Sequence, residues 1–113
     1  RLVMAFDNRD CGRCTKLDGH VAPLEDVIAG ASAGDGERAR SLAAYTLSDM
    51  ARDGLGLLTA LGIDRAHVVG ASMGGMIAQS MAIEHPERVL TLTSMMSTTG
   101  EPEFGQPCRC PTR

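Results

Sequence analysis

At 113 residues the chain suits one small domain, and an apolar fraction of 43% is that of ordinary water-facing proteins. Eleven basic against fourteen acidic residues give a net charge of -3. The basic side chains form no stripe, which argues against nucleic-acid binding, and no apolar run approaches a membrane span. With Phe6, Tyr45 and Phe104 as the only aromatics, no Trp and seven Met, the core must be filled by aliphatic and thioether side chains. Methionine fills irregular gaps but specifies packing weakly, so marginal stability is expected of the chain by itself.

Taken in chain order, Leu2 to Phe6 is a continuous apolar run that predicts a short buried strand. Asp7 to Gly19 is polar and turn-rich, which predicts a loop at that strand's carboxyl end. Within it, Asp7 and Asp10 can accept backbone hydrogen bonds, Arg9 can bridge carboxylates or carbonyls, and Gly12 relaxes the turn. These residues are assigned to the rim of a pocket. Residues 20 to 45 carry weak signals. Leu24, Val27 and Ile28 fit a helical turn or two, and Gly30 to Gly36 is flexible by composition.

Thr46 to Leu61 predicts a helix. Thr46 caps it, and Asp49, three residues on, answers as in a capping box. Leu47, Met50, Gly54, Leu57, Leu58 and Leu61 share one face, and Gly62 is the terminating residue. Ala66 to Gly70 predicts a strand, Met73 to Glu84 a helix stopped by Pro86, and Val89 to Ser94 a further strand. Three short strands alternating with helices imply an α/β fold with a parallel sheet and right-handed crossovers. Its outer strands would leave open edges, which offer a route to self-association.

The segment with the most chemistry is Gly70-Ala71-Ser72-Met73-Gly74, followed by Gly75. A serine hydroxyl is a poor nucleophile at neutral pH unless a base and an oxyanion site are supplied. A tight strand-to-helix turn lifts the hydroxyl clear of the sheet. Gly70 and Gly74 are expected to remove side chains that would clash in such a turn, and Gly75 to let helix and sheet approach. The first amides of the following helix have no intrahelical partner, so the Met73 amide is the candidate oxyanion donor. A bare structural turn is the competing reading of the same glycines.

The partners of Ser72 are harder to find. His67 lies five residues upstream, roughly 16 Å away along an extended backbone. His85 is at the far end of the following helix, about 18 Å along its axis. His20 sits in a loop. Glu101 and Glu103 follow the last strand but need an imidazole to complete a triad. The four cysteines fall as Cys11-Gly12-Arg13-Cys14 and Cys108-Arg109-Cys110. They read as free thiols of a cytoplasmic protein, with a zinc site and a redox pair as the alternatives.

On these residues the chain resembles the α/β-hydrolase superfamily, above all its bacterial esterase-like and methylesterase-like members. Phe6-Asp-Asn-Arg-Asp-Cys-Gly-Arg-Cys14 is similar to the loop after that family's fourth strand, with Cys14 where a serine is common. Tyr45 to Asp53 is similar to the start of the next helix, and Leu61 to Ser80 to the region of the nucleophile elbow. His85 to Val89 and Met96 to Gly100 continue the likeness. The resemblance implies a partial α/β-hydrolase fold over residues 1–100. It makes Ser72 the nucleophile, Met73 the backbone oxyanion donor and a small-molecule ester the substrate, with no cofactor and no metal. It also implies that the upstream oxyanion loop, the downstream acid and histidine, and the lid lie outside this sequence, so that the chain alone is expected to be inactive. Residues 101–113 read as an irregular tail, foreign to or frame-shifted from the family-like portion. An acyltransferase, a cofactor-free haloperoxidase-like enzyme and a non-catalytic interaction module are the other readings.

Overall fold

The computed structural model describes residues 2–17, 19, 23, 25–26, 28–29, 33–34 and 36–100. The chain divides into two compact units, residues 1–50 and 51–113.

In the first unit the run Leu2 to Phe6 is not a strand: it joins no ladder and is exposed, Leu2 and Val3 almost fully. A strand exists only through pairing, and none of its backbone groups is hydrogen-bonded within the described residues. The loop that follows is built from overlapping turns. The amide of Cys11 donates to the Asn8 carbonyl at 3.0 Å, that of Cys14 to Cys11 at 3.0 Å and that of Asp10 to Thr15 at 3.1 Å. Helix α1, Gly36–Leu42, forms where composition gave only weak signals. It carries Glu37 in its first turn and Arg40 in its last, both matched to the helix dipole.

Helix α2, Leu47–Ala60, starts in this unit with a reciprocal capping box. The Thr46 amide and hydroxyl donate to Asp49 Oδ2 at 2.9 and 2.8 Å, and the Asp49 amide donates back to Thr46 Oγ1 at 3.3 Å. Its buried residues are Met50, Ala51, Gly54, Leu55 and Leu58, a stripe at helical spacing. Leu61, expected on that face, is exposed instead. The helix has already ended there in a Schellman turn: Gly62 adopts φ +68°, its amide donates to Thr59 at 3.0 Å, and the Ile63 amide reaches Leu58 at 2.9 Å.

The second unit continues through β1 (Ala66–Ala71), α3 (Met73–Glu84), a 3₁₀ turn (Pro86–Arg88) and β2 (Val89–Met95). The strands pair in parallel with His67 opposite Thr91, Gly70 opposite Ser94 and Ala71 opposite Met95. Among the described residues this is a two-stranded sheet, so the α/β architecture is partial. Pro86 opens the 3₁₀ turn beyond α3, consistent with its lack of an amide. The unit's buried apolar residues are Ala51, Leu55 and Leu58 of α2 with Ile77, Ala78 and Met81 of α3.

α3 lies over the face of the sheet that carries Gly70 and Ser94. The opposite face, bearing His67, Val69 and Ala71 with Thr91, Thr93 and Met95, is exposed, Val69 at 63%. Parallel sheets are normally covered on both faces. Apolar side chains therefore stand exposed on this face, Val69 and Met95 among them.

Arg88 fastens the start of β2 to the end of α2. Its Nε donates to the Asp64 carbonyl at 2.6 Å, and one Nη donates to the Ile63 carbonyl at 3.1 Å and Thr59 Oγ1 at 3.2 Å. Replacing Arg88 with alanine removes these charge-assisted bonds and should lower stability by about 2 kcal/mol, read as a reduced urea midpoint at unchanged slope.

Candidate functional site

The turn between β1 and α3 is drawn tight by one residue. Ser72 has φ +52° and ψ −124°, outside the region that L-residues prefer. Such a conformation costs on the order of 1–3 kcal/mol and persists only where its surroundings over-determine it. Here the Ser72 amide donates to the carbonyl of Met95, the last residue of β2, at 2.9 Å. Its carbonyl accepts from the amides of Gly75 at 2.9 Å and Met76 at 3.3 Å. The bend is thus held by the neighbouring strand on one side and the first turn of α3 on the other.

A serine at a helix start ordinarily turns its hydroxyl onto the second or third amide of the helix. Ser72 makes no such capping bond, because its backbone is not in the cap conformation. The residue is exposed, so the hydroxyl stands in solvent. The amides of Met73 and Gly74, at the positive end of α3, donate to no acceptor among the described residues. A reachable hydroxyl next to two open amides is an arrangement suited to acyl transfer, given a base.

The three glycines of the motif act differently. A Cβ on Gly70 would lie 2.0 Å from the Gly74 carbonyl oxygen and 2.7 Å from the Gly75 nitrogen, both backbone atoms. A Cβ on Gly75 would meet Ser97 Cβ at 2.6 Å and Ser94 Oγ at 2.7 Å. Gly74, expected to avoid a clash through its missing side chain, faces open space. What it brings into the crowded spot is its own carbonyl, pressed against Gly70. Beside Gly75, Gln79 Nε2 donates to Ser94 Oγ at 3.0 Å, to Ser97 Oγ at 3.4 Å and to the Thr98 carbonyl at 3.4 Å. These bonds tie α3 to β2 and to the loop after it. Sequence reasoning missed Gln79; its signal was a lone amide side chain one helical turn beyond the glycines.

The two described histidines, His67 and His85, sit at the far ends of β1 and α3 from Ser72. His67 lies at the opposite end of β1, its Nδ1 2.8 Å from Thr91 Oγ1 across the ladder. His85 closes the carboxyl end of α3, its amide donating to Met81 and its Nδ1 3.5 Å from Glu87 Oε1. His20, Leu24, Val27, Glu101, Glu103, Cys108 and Cys110 lie outside the described residues.

The other predicted site residues form a local network in the first unit. Asp7 Oδ2 accepts from the Arg13 amide at 3.0 Å, and Asp10 Oδ1 accepts from the Leu17 amide at 2.6 Å. Asp10 itself has φ +62°, and Gly12 has φ +49° with its Cβ direction filled by the Asp7 carboxylate. Arg9 donates to the Asp49 carbonyl at 3.3 Å and lies over the Tyr45 ring, 5.2 Å from its centroid. Tyr45 has its pKa raised above the usual 10, first by desolvation, then by its hydrogen bond to Asp10 and the negative charges of Asp10 and Cys11, with Arg9 opposing. A phenol that holds its proton more tightly when folded contributes stability below the unfolded pKa, and that contribution is lost as pH rises through the folded one. Tyr45 is the sole tyrosine and there is no Trp, so absorbance titration should show ionisation at higher pH than in the urea-unfolded chain, with Asp10→Asn moving it back down. Among the described residues no group of three or more His, Cys, Asp or Glu is placed to hold a metal ion, and no helix is long and apolar enough to cross a membrane.

Residues 3–107 match the alpha/beta hydrolase fold family. The chain is 32% identical over 103 residues to the rhodomycin D methylesterase of Streptomyces sp. (strain C5), covering 91% of this chain and 28% of that protein. It is 31% identical over the same length to the rhodomycin D methylesterase of Streptomyces peucetius, with the same coverage. It is also 40% identical over 84 residues to a dihydrolipoyllysine-residue acetyltransferase component of the acetoin cleaving system from Cupriavidus necator, covering 72% of this chain and 22% of the relative. The chain thus spans little more than a quarter of the length of the methylesterases it matches.

Proposed function

Because the chain belongs to the alpha/beta hydrolase fold family, we infer that it carries the nucleophile portion of a serine hydrolase acting on a small-molecule carboxylic ester. The observation that supports this most is the strained, exposed, uncapped Ser72 at the strand-to-helix bend, beside the open Met73 amide. Ser72 attacks the ester carbonyl after losing its proton to a base. The Met73 amide donates to the developing oxyanion, the alcohol leaves, and water releases the acid from the acyl-enzyme. Gly70 and Gly75 hold the bend; Asp7, Arg9 and Asp10 organise a loop at the pocket rim. Residues 1–100 supply the strand–elbow–helix part of the domain, in a cytoplasmic protein. This chemistry uses no cofactor.

His67 and His85 are engaged elsewhere, with Thr91 and Glu87, so the chain by itself should not turn over. With an activated short-chain ester, the purified chain is expected to match its Ser72→Ala variant and the buffer background. Turnover that Ser72→Ala abolishes would contradict that inactivity and require a base from His20 or a second copy. The acetyltransferase relative favours a second reading, acyl transfer to an acceptor other than water through the same early steps. Acceptor-dependent consumption of an acyl donor would distinguish it from hydrolysis.

A further inference from the structure

The cysteine pair of the first unit is not used by the chemistry at Ser72. Cys11 and Cys14 are both free thiols, Cys11 exposed and Cys14 half-buried. They occupy the first and last positions of a β-turn closed by the Cys14 amide donating to the Cys11 carbonyl at 3.0 Å. Gly12 at the second position has φ +49°, whereas Arg13 at the third has a negative φ, the pattern of a type II′ turn. The ends of a β-turn lie within about 7 Å between Cα atoms, and a disulfide spans about 4.4–6.8 Å. The turn is braced independently of the cysteines, by Asp7 Oδ2 on the Arg13 amide and by Lys16 Nζ on the Gly12 carbonyl at 3.0 Å. In the reduced form the Cys14 thiol donates to the Asp7 carbonyl at 2.8 Å, a weak bond on an exposed group that water can replace.

The geometry points to a reversible disulfide between Cys11 and Cys14, a redox modification site that straps the Asp7–Leu17 loop across its central turn. The oxidant is a low-molecular-weight disulfide. The thiolate of exposed Cys11 attacks one of its sulfurs, giving a mixed disulfide and releasing one small thiolate. The Cys14 sulfur, having lost its proton to solvent, then attacks the Cys11 sulfur and expels the second small thiolate. Two protein thiols are oxidised to one disulfide and the reagent disulfide is reduced to two thiols, so electrons balance. The loop keeps its turn in both forms, because the bond joins positions the backbone already holds together. This site is independent of any role for Ser72.

The test uses the full chain carrying Cys108→Ser and Cys110→Ser, which leaves Cys11 and Cys14 as its thiols. It is equilibrated with oxidised and reduced glutathione at graded ratios, quenched with an alkylating agent and mapped by mass spectrometry. The expected product is a monomer whose Cys11–Cys14 peptide has lost two hydrogens, takes up no alkyl group and regains both sites after dithiothreitol. Cys14→Ser should instead stop at a glutathione adduct on Cys11. The ring should close in buffer at an oxidant ratio at least about tenfold lower than in denaturant, a difference of about 30 mV for a two-electron couple. Alkylation of both cysteines at every ratio, stable adducts on both, a disulfide-linked dimer, or equal ratios in buffer and denaturant would each overturn the proposal.

Discussion

Placed inside a complete hydrolase, this segment should carry activity that disappears with one hydroxyl. The direct way to see it is to replace the matching stretch of a rhodomycin D methylesterase with residues 3–107 of this chain, the range that matches the family. The chimera supplies from its own flanks whatever base and acid the parent uses. Ser72→Ala in that background should lower kcat by about 10⁴-fold or more, the scale seen when a triad nucleophile is removed. KM should move far less, because Ser72 makes its main contribution once the carbonyl begins to rehybridise. A loss of tenfold or less in a folded chimera would show that Ser72 is only a turn residue.

The second large effect is on the bend itself. Gly70→Ala puts a methyl group 2.0 Å from the Gly74 carbonyl oxygen, where two backbone segments meet and neither can rotate away as a side chain would. The helix start must move or the strand must separate, and the expected loss is more than about 3 kcal/mol, beyond ordinary overpacking. For a small domain that is a large share of total stability. Gly74→Ala is the control. It is helical, its Cβ direction is open, and alanine is favoured over glycine in a helix by up to about 1 kcal/mol. Urea unfolding followed by circular dichroism should therefore show Gly70→Ala much less stable than the parent and Gly74→Ala equal to it or slightly better. Equal losses at the two positions would mean that the close approach is not where the structure puts it.

This contrast shows what the sequence could and could not convey. The capping box at Thr46 and Asp49, the stop at Gly62 and the bend at Ser72 were legible because each depends on residues within a few positions of one another. The roles of Gly70 and Gly74 were not separable from sequence, since a Cβ clash depends on which way each Cα–Cβ bond points in the folded turn. Leu2 to Phe6 looked like a strand because its apolarity is local, but pairing is not, and no ladder forms there. The Gln79 links to Ser94, Ser97 and Thr98 span 15 to 19 residues and follow no short motif. Arg88 is similar: its partners Thr59, Ile63 and Asp64 lie 24 to 29 residues upstream, two of them backbone carbonyls that leave no mark in the side-chain pattern.

The exposed sheet face has the same origin. Val69 and Met95 are the residue types of a covered parallel strand, yet both stand in solvent beside Thr91 and Thr93. Apolar strand positions report that a covering layer is wanted; they carry no information on which segment provides it. The chain spans little more than a quarter of the length of the methylesterases that match it.

The most direct measurement is covalent trapping of the methylesterase chimera with a phosphonate ester, followed by peptide mapping. The account predicts a single adduct on Ser72, formed in step with loss of esterase activity and absent from Ser72→Ala. An adduct on any other residue, or inactivation that leaves Ser72 unmodified, would contradict it.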